Sequence, residues 1–109
     1  MRKQFTPEEV DIVNAVIRVI CNVFDIKDVT WIRDKKVFNK YVKKKPNPHD
    51  GAVSATTFKA FWLDEKYLLS MPFIEWLGII IHEVAHIKYP NLSEPQVIKL
   101  AAKYTGLIE

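Results

Sequence analysis

One helix that is apolar on nearly every side constrains the fold of this chain more than any other segment. Large apolar residues recur on every turn of residues 72–88, and Pro90 stands two residues after this segment. A helix that is apolar all round is buried at the centre of a domain rather than lying on its surface. We therefore expect a helix over residues 72–88 to be the core element, with its end set by Pro90.

The same helix carries the pattern H-E-x-x-H, formed by His82, Glu83 and His86. Residues four apart on an α-helix lie about 40° apart around its axis, so both histidines project from one face and can bind one metal ion. Glu83 lies beside that face, where its carboxylate can take a proton from water that the metal activates. This spacing is typical of zinc peptidases. The alternative is a buried helix with two hydrogen-bonded core histidines and an exposed Glu83.

A catalytic zinc site needs three protein ligands and a water molecule, so this motif has to be completed from elsewhere. A third histidine six residues after the second is excluded, because Leu92 stands there. Glu94 is the only acidic residue after the motif apart from Glu109 at the terminus. A tight turn after Pro90 could return Glu94 to the metal, although a glutamate here could also simply favour a positive helix N-terminus.

We therefore predict that His82, His86 and Glu94 bind Zn²⁺ and that Glu83 is the catalytic residue. His49 and Asp50 lie in a loop of unknown position and are the alternative sources of the third ligand.

The 109 residues are enough for one domain, residues 1–109, and 49% of them are hydrophobic. Cys21 is the single cysteine, so an internal disulfide cannot form and a reducing cytoplasm is expected. The N-terminus lacks the apolar run of a signal peptide, and no apolar stretch is long enough to predict a membrane span. We therefore predict a cytoplasmic protein without a membrane partner.

A capping box and a proline predict the start of the first helix. Thr6 can cap, Pro7 suits the first helical position and Glu9 completes the box. Apolar residues at helical spacing then extend this helix over about residues 7–24.

A second capping box, Ser93 with Gln96, predicts a short last helix that ends at Gly106. Between the first helix and the central one, β-branched and aromatic residues predict strands at residues 29–32, 52–58 and 60–63. Residues 37–42 are interpreted as a further strand or a loosely ordered arm, and residues 64–69 as a turn with one helical turn.

Residues 35–45 contain six lysines. The ordinary interpretation of such a run is a solvated, charged surface. The alternative is a site for an anionic partner such as nucleic acid, with Phe38 and Tyr41 as stacking groups. The net charge of +3 is only mildly basic and no nucleic-acid-binding motif accompanies the lysines, so we do not expect a nucleic-acid partner.

The order of elements, with H-E-x-x-H at residues 82–86 and Glu94 on the next helix, resembles that of the minigluzincins. These are small archaeal zinc peptidases of the gluzincin clan. The resemblance covers the element order along most of the chain, and its specific part is the motif and Glu94. It implies a zincin-like α+β domain that hydrolyses peptides or proteins. Such a domain has an N-terminal helix, a small three- to four-stranded sheet, a buried H-E-x-x-H helix and a short C-terminal glutamate helix.

The resemblance also implies how substrate is held and how activity is restrained. A strand beside the site would hold the substrate in extended form, and by position this is residues 52–58 or 60–63. Members of the family are often latent, with a C-terminal segment in the cleft, and some self-associate. The tail of this chain, residues 106–109, is short and mostly apolar. We predict that this tail or a second molecule blocks the site at high concentration, and we include a homo-oligomer among the expected states.

A tyrosine or histidine is expected to stabilise the oxyanion of the reaction. The candidates, among which the sequence does not choose, are His49, Tyr67, Tyr89 and Tyr104.

Two other functions stay open. One is a non-catalytic zinc-binding module, which four protein ligands would favour. The other is a nucleic-acid-associated protein using residues 35–45, which steeply salt-dependent binding would favour.

Overall fold

The computed structural model describes residues 2–41, 52–55 and 59–108, which form an α+β domain in which helices predominate. The predicted α+β class is confirmed. The elements, in chain order, are α1 (Pro7–Phe24), β1 (Thr30–Trp31), α2 (Lys35–Tyr41), β2 (Ala52–Ala55), β3 (Ala60–Leu63), α3 (Glu65–Leu68), α4 (Phe73–Lys88) and α5 (Glu94–Ile108).

Helix α1 has the predicted bounds, because its ends are fixed by local chemistry. The Thr6 hydroxyl accepts a hydrogen bond from the Glu9 N–H at 3.2 Å, and the Glu9 carboxylate accepts one from the Thr6 N–H at 2.8 Å. This reciprocal pair is the predicted capping box. At the other end Asp25 adopts a left-handed conformation, with φ at 52°, which ends the helix. The face that packs on the core carries Val13, Ile17, Ile20 and Phe24.

The three described strands form one mixed sheet in the order β1-β3-β2. β3 lies in the centre, parallel to β1 and antiparallel to β2. The strands predicted at residues 29–32 and 60–63 are confirmed, and β2 is the first part of the strand predicted at residues 52–58. Residues 56–58 lie outside the described part of the chain.

Residues 37–42 were expected to form a strand or an arm, and this prediction is wrong: Lys35–Tyr41 is helix α2. Asp34 begins it, since its carboxylate accepts hydrogen bonds from the backbone N–H groups of Lys36 at 2.8 Å and Val37 at 3.4 Å. Phe38 is fully buried and forms a small cluster with Ala60 of β3. A cap and one buried aromatic residue therefore override the β-branched and aromatic composition.

Helix α4 is the central element, as predicted for residues 72–88. It contacts α1, α3, α5 and β2, and the residues that it buries are Trp76, Ile80, Ile81, Glu83, Val84, Ala85 and Ile87. The single helical turn expected after residue 64 is α3, which the Asp64 side chain caps. Within the described residues, no helix has both the length and the apolarity required for crossing a membrane.

Helix α5 begins as predicted but ends later. The Ser93 N–H donates to Gln96 Oε1 at 2.8 Å, and the Gln96 N–H donates to Ser93 Oγ at 3.4 Å, so the second capping box is confirmed. The predicted end at Gly106 is wrong, because α5 continues to Ile108. A glycine costs a helix only about 1 kcal/mol and does not have to end it. At 1.5 Å per residue, the last turn of this 15-residue helix lies about 20 Å from Glu94.

Candidate metal centre

Helix α4 holds His82 and His86 one turn apart on the same face. Their Nε2 atoms are 3.0 Å apart and their ring centroids 4.6 Å apart. Each side chain is 23% exposed, so both rings are reachable from solvent while the neighbouring turns of α4 are packed in the core. A rigid, buried helix thus presents two imidazoles to one point in space.

The third group comes from the start of α5. The Glu94 Oε1 atom is 2.7 Å from His82 Nε2, and Oε2 is 2.9 Å from His86 Nε2. The capping box around Ser93 fixes the first turn of α5, and the buried side chains of Val97 and Ala101 dock this helix in the core. The turn after Pro90 therefore brings Glu94 back over the H-E-x-x-H face, as the sequence predicted.

These three side chains fit a metal ion. Each offers one donor atom, and the donors lie within 4.8 Å of one another. Donors around a tetrahedral zinc ion stand roughly 3.3 Å apart, so the present separations of 2.7–3.0 Å would widen by only about 0.5 Å on binding. Among the described residues, no further histidine, cysteine, aspartate or glutamate joins the group. The alternative ligands His49 and Asp50 lie outside those residues.

The burial of Glu83 can be compared with the alternative interpretation, in which the two histidines are buried in the core and Glu83 is exposed. The structure has the reverse arrangement: Glu83 is 5% exposed, whereas His82 and His86 are partly exposed. The exposure of Glu83 that this alternative expects is therefore wrong. Burying a carboxylate is costly, so Glu83 and Glu65 are the two buried charged residues in the described part of the chain that call for a specific role.

The four oxyanion candidates occupy different parts of the molecule. Tyr104 follows Glu94 by ten residues of helix, about 15 Å along α5, and its ring packs on Phe24. Tyr67 belongs to α3, which contacts the N-terminal half of α4 through a hydrogen bond from Trp76. Tyr89 directly follows α4 and is 38% exposed. The Tyr89 ring lies 6.3 Å from the ring of Phe24 on α1, measured between centroids, and His49 lies outside the described residues.

In the described part of the lysine-rich segment, Lys35, Lys36 and Lys40 are exposed, as a solvated surface requires. Phe38 is fully buried, so its proposed role as a stacking group for nucleic acid is wrong. Lys35 lies at the start of α2, with its Nζ atom 5.3 Å from the centroid of the Trp62 ring. No spacing pattern links positions 35 and 62, and sequence reasoning accordingly missed this contact.

Three comparisons of the chain, with protein-family models, with curated proteins and with solved structures, found no match. A functional interpretation therefore depends on the geometry of the site.

Proposed function

We propose that this protein is a zinc-dependent peptidase with a zincin-like fold, in which His82, His86 and Glu94 bind the ion and Glu83 is the general base. The observation that carries the proposal is the meeting of the Glu94 carboxylate with both Nε2 atoms, at 2.7 and 2.9 Å. When bound, zinc supplies a Lewis acid that polarises a carbonyl and lowers the pKa of water towards about 7.

The chain itself supplies the proton transfers. The Glu83 carboxylate takes a proton from the attacking water and delivers it to the nitrogen of the leaving amine. Glu83 directly follows His82 on α4 and is 5% exposed, so packing restricts the movement of this carboxylate. The hydroxyl of Tyr89, at the end of the same helix, is our candidate donor to the oxyanion.

Among the strands predicted to hold substrate, β2 offers an edge for an extended peptide in the described part of the chain. β3 is paired on both edges and cannot accept another strand, which removes one of the two predicted substrate strands. β2 pairs only with β3 in the described part of the chain, and it contacts α4. A substrate that added to the free edge of β2 would run beside the helix that carries the histidines.

The two other functions have less support. A structural zinc site is closed by four protein ligands, whereas three converge among the described residues and Glu94 is 59% exposed. A nucleic-acid role is less well supported because Phe38 is fully buried and cannot stack on a base.

The test is cleavage of an unstructured protein substrate by zinc-loaded protein, compared with the Glu83→Gln variant. Glutamine keeps the shape of the side chain but cannot accept the proton, so we expect a loss of about 100-fold or more at unchanged zinc content. Glu8→Gln, an exposed residue of α1, is the matched control and should keep full activity. Undiminished cleavage by Glu83→Gln, or no zinc-dependent cleavage by the wild type, would overturn the proposal.

A further inference from the structure

Beyond the metal centre, a polar pocket of about 460 Å³ lies where three distant segments meet. These segments are the residues before α1, the connection between β1 and α2, and the junction of β3 with α3. The volume falls within the range of roughly 300–1,000 Å³ that is usual for small-molecule sites. Four basic and three acidic side chains line this pocket.

The acidic side chains are engaged within the fold. Asp34 accepts hydrogen bonds from backbone amides at the start of α2, and Asp64 accepts one from the Tyr67 N–H at 3.2 Å. Glu65 is 8% exposed and is held by Arg33 through two hydrogen bonds of 2.7 and 2.9 Å. Arg33 thus neutralises Glu65, whereas Asp34 and Asp64 keep their charges and are outnumbered by the three lysines of the pocket.

The lysines of the pocket, in contrast, keep their donors for a ligand. In the described part of the chain, neither Lys3 nor Lys66 forms an ion pair, and both side chains are exposed. Lys35 Nζ is held over the ring of Trp62, and the Trp62 indole is fixed by its hydrogen bond to the Arg33 carbonyl oxygen at 3.2 Å. Lys3, Lys35 and Lys66 thus come from three segments of the chain and line one pocket together with Trp62.

We propose that this pocket binds a small molecule bearing a phosphoryl group, with Lys3, Lys35 and Lys66 as donors and Trp62 as its wall. Several ammonium groups that approach from different directions suit a tetrahedral oxyanion, since lysine binds phosphate as a mobile point charge. The pocket is larger than a phosphate ion, so the shared chemistry is a phosphoryl group, whether free or attached to an organic molecule. The site is independent of the proposed peptidase chemistry.

The test is isothermal titration calorimetry of metal-free protein with inorganic phosphate, pyrophosphate and glycerol phosphate, each at constant ionic strength. The wild type is compared with a Lys35→Gln/Lys66→Gln variant and with Lys99→Gln/Lys103→Gln as the control. The control removes the same charge from exposed positions on α5. All four lysines are exposed, and circular dichroism checks that each variant is folded.

We expect saturable binding of at least one of the three probes, weakened at least tenfold in the pocket variant and unchanged in the control. Tighter binding of glycerol phosphate than of inorganic phosphate would identify a phosphate ester as the ligand class, and the reverse order a free anion. Equal weakening in both variants would show only non-specific charge attraction. That result, or no saturable binding by the wild type, would overturn the proposal.

Discussion

At the residue scale, the Glu65 carboxylate joins segments that are far apart in the chain. It accepts hydrogen bonds from the Phe5 N–H at 2.7 Å and from the Arg33 guanidinium at 2.7 and 2.9 Å. The hydrogen bonds to Glu65 also raise the pKa of Arg33 above its usual range, against the opposing effect of burial. Glu65 therefore has a structural role. The hydrogen bonds that it accepts from Phe5 and Arg33 offset the cost of burying its charge.

Removing this carboxylate should destabilise the fold far more than removing an exposed ion pair. We expect Glu65→Ala to lower the free energy of unfolding by about 3 kcal/mol, because Arg33 and a backbone N–H lose their partner. Arg2→Ala breaks the exposed pair between Arg2 and Glu9 and should cost less than about 1 kcal/mol. Urea unfolding measures both values, and equal losses would contradict this account.

Only part of the residue-scale picture could be predicted from the sequence. Helix periodicity places His82 and His86 on one face, and elimination pointed to Glu94. The contact between Arg33 and Glu65 spans 32 positions and depends on the sheet that brings β1 beside β3. No local pattern encodes such a pairing.

At the scale of elements, the α1 capping box makes a pH-dependent contribution to stability. Hydrogen bonds, first from the Arg2 side chain and then from the Thr6 backbone, lower the pKa of Glu9 below its ordinary value of 4.5. A carboxylate with a lowered folded-state pKa stabilises the fold fully above its unfolded pKa, and the contribution is lost as the pH falls through the folded pKa.

The change that isolates this contribution is Glu9→Gln. The variant should be less stable than the wild type near neutral pH, and the difference should be lost as the pH falls from 4.5 through the lowered folded-state pKa, where Glu9 in the fold becomes neutral. Thermal unfolding across this pH range measures the difference. Glu8→Gln is the control, since Glu8 lies in the same turn but outside the capping box. A difference in stability between Glu9→Gln and the wild type that stays constant across the whole acid range would contradict the prediction.

The elements that prediction placed correctly are those whose ends have local signals. Capping boxes begin α1 and α5, and a long apolar pattern identifies α4. α2 was misassigned because a seven-residue segment with Val37 and Phe38 carries too little periodicity to decide between helix and strand. The end of α5 was misplaced because Gly106 was interpreted as a stop, although helix continuation depends on packing as well as propensity.

At the scale of the whole molecule, the position of α5 limits how the tail, residues 106–109, could block the candidate site. The last turn of α5 lies about 20 Å from Glu94 along a straight helix, so residues 106–108 are poorly placed to cover the candidate metal centre of the same molecule. The tail of a second molecule has no such constraint. The latency that we propose would therefore arise more directly by self-association.

We expect the cleavage activity per molecule to rise on dilution, because a blocking partner dissociates as the concentration falls. Assays across a wide concentration range at constant zinc saturation measure this, alongside sedimentation of the same samples. Deleting residues 106–109 should reduce the concentration dependence if the tail is the blocking segment. Activity per molecule that is flat across dilution in both proteins would leave latency by self-association without support.

The central claim is that two residues of α4 and one of α5 form a single metal centre. Its most direct test is the zinc affinity of Glu94→Ala beside that of Lys99→Ala, an exposed position on the same helix. Changing a residue that only supports a ligand typically costs about 10- to 100-fold in metal affinity, so loss of a ligand should cost about 100-fold or more. We predict this loss for Glu94→Ala and wild-type affinity for Lys99→Ala. Unchanged zinc affinity in Glu94→Ala would contradict the claim and move the third ligand elsewhere.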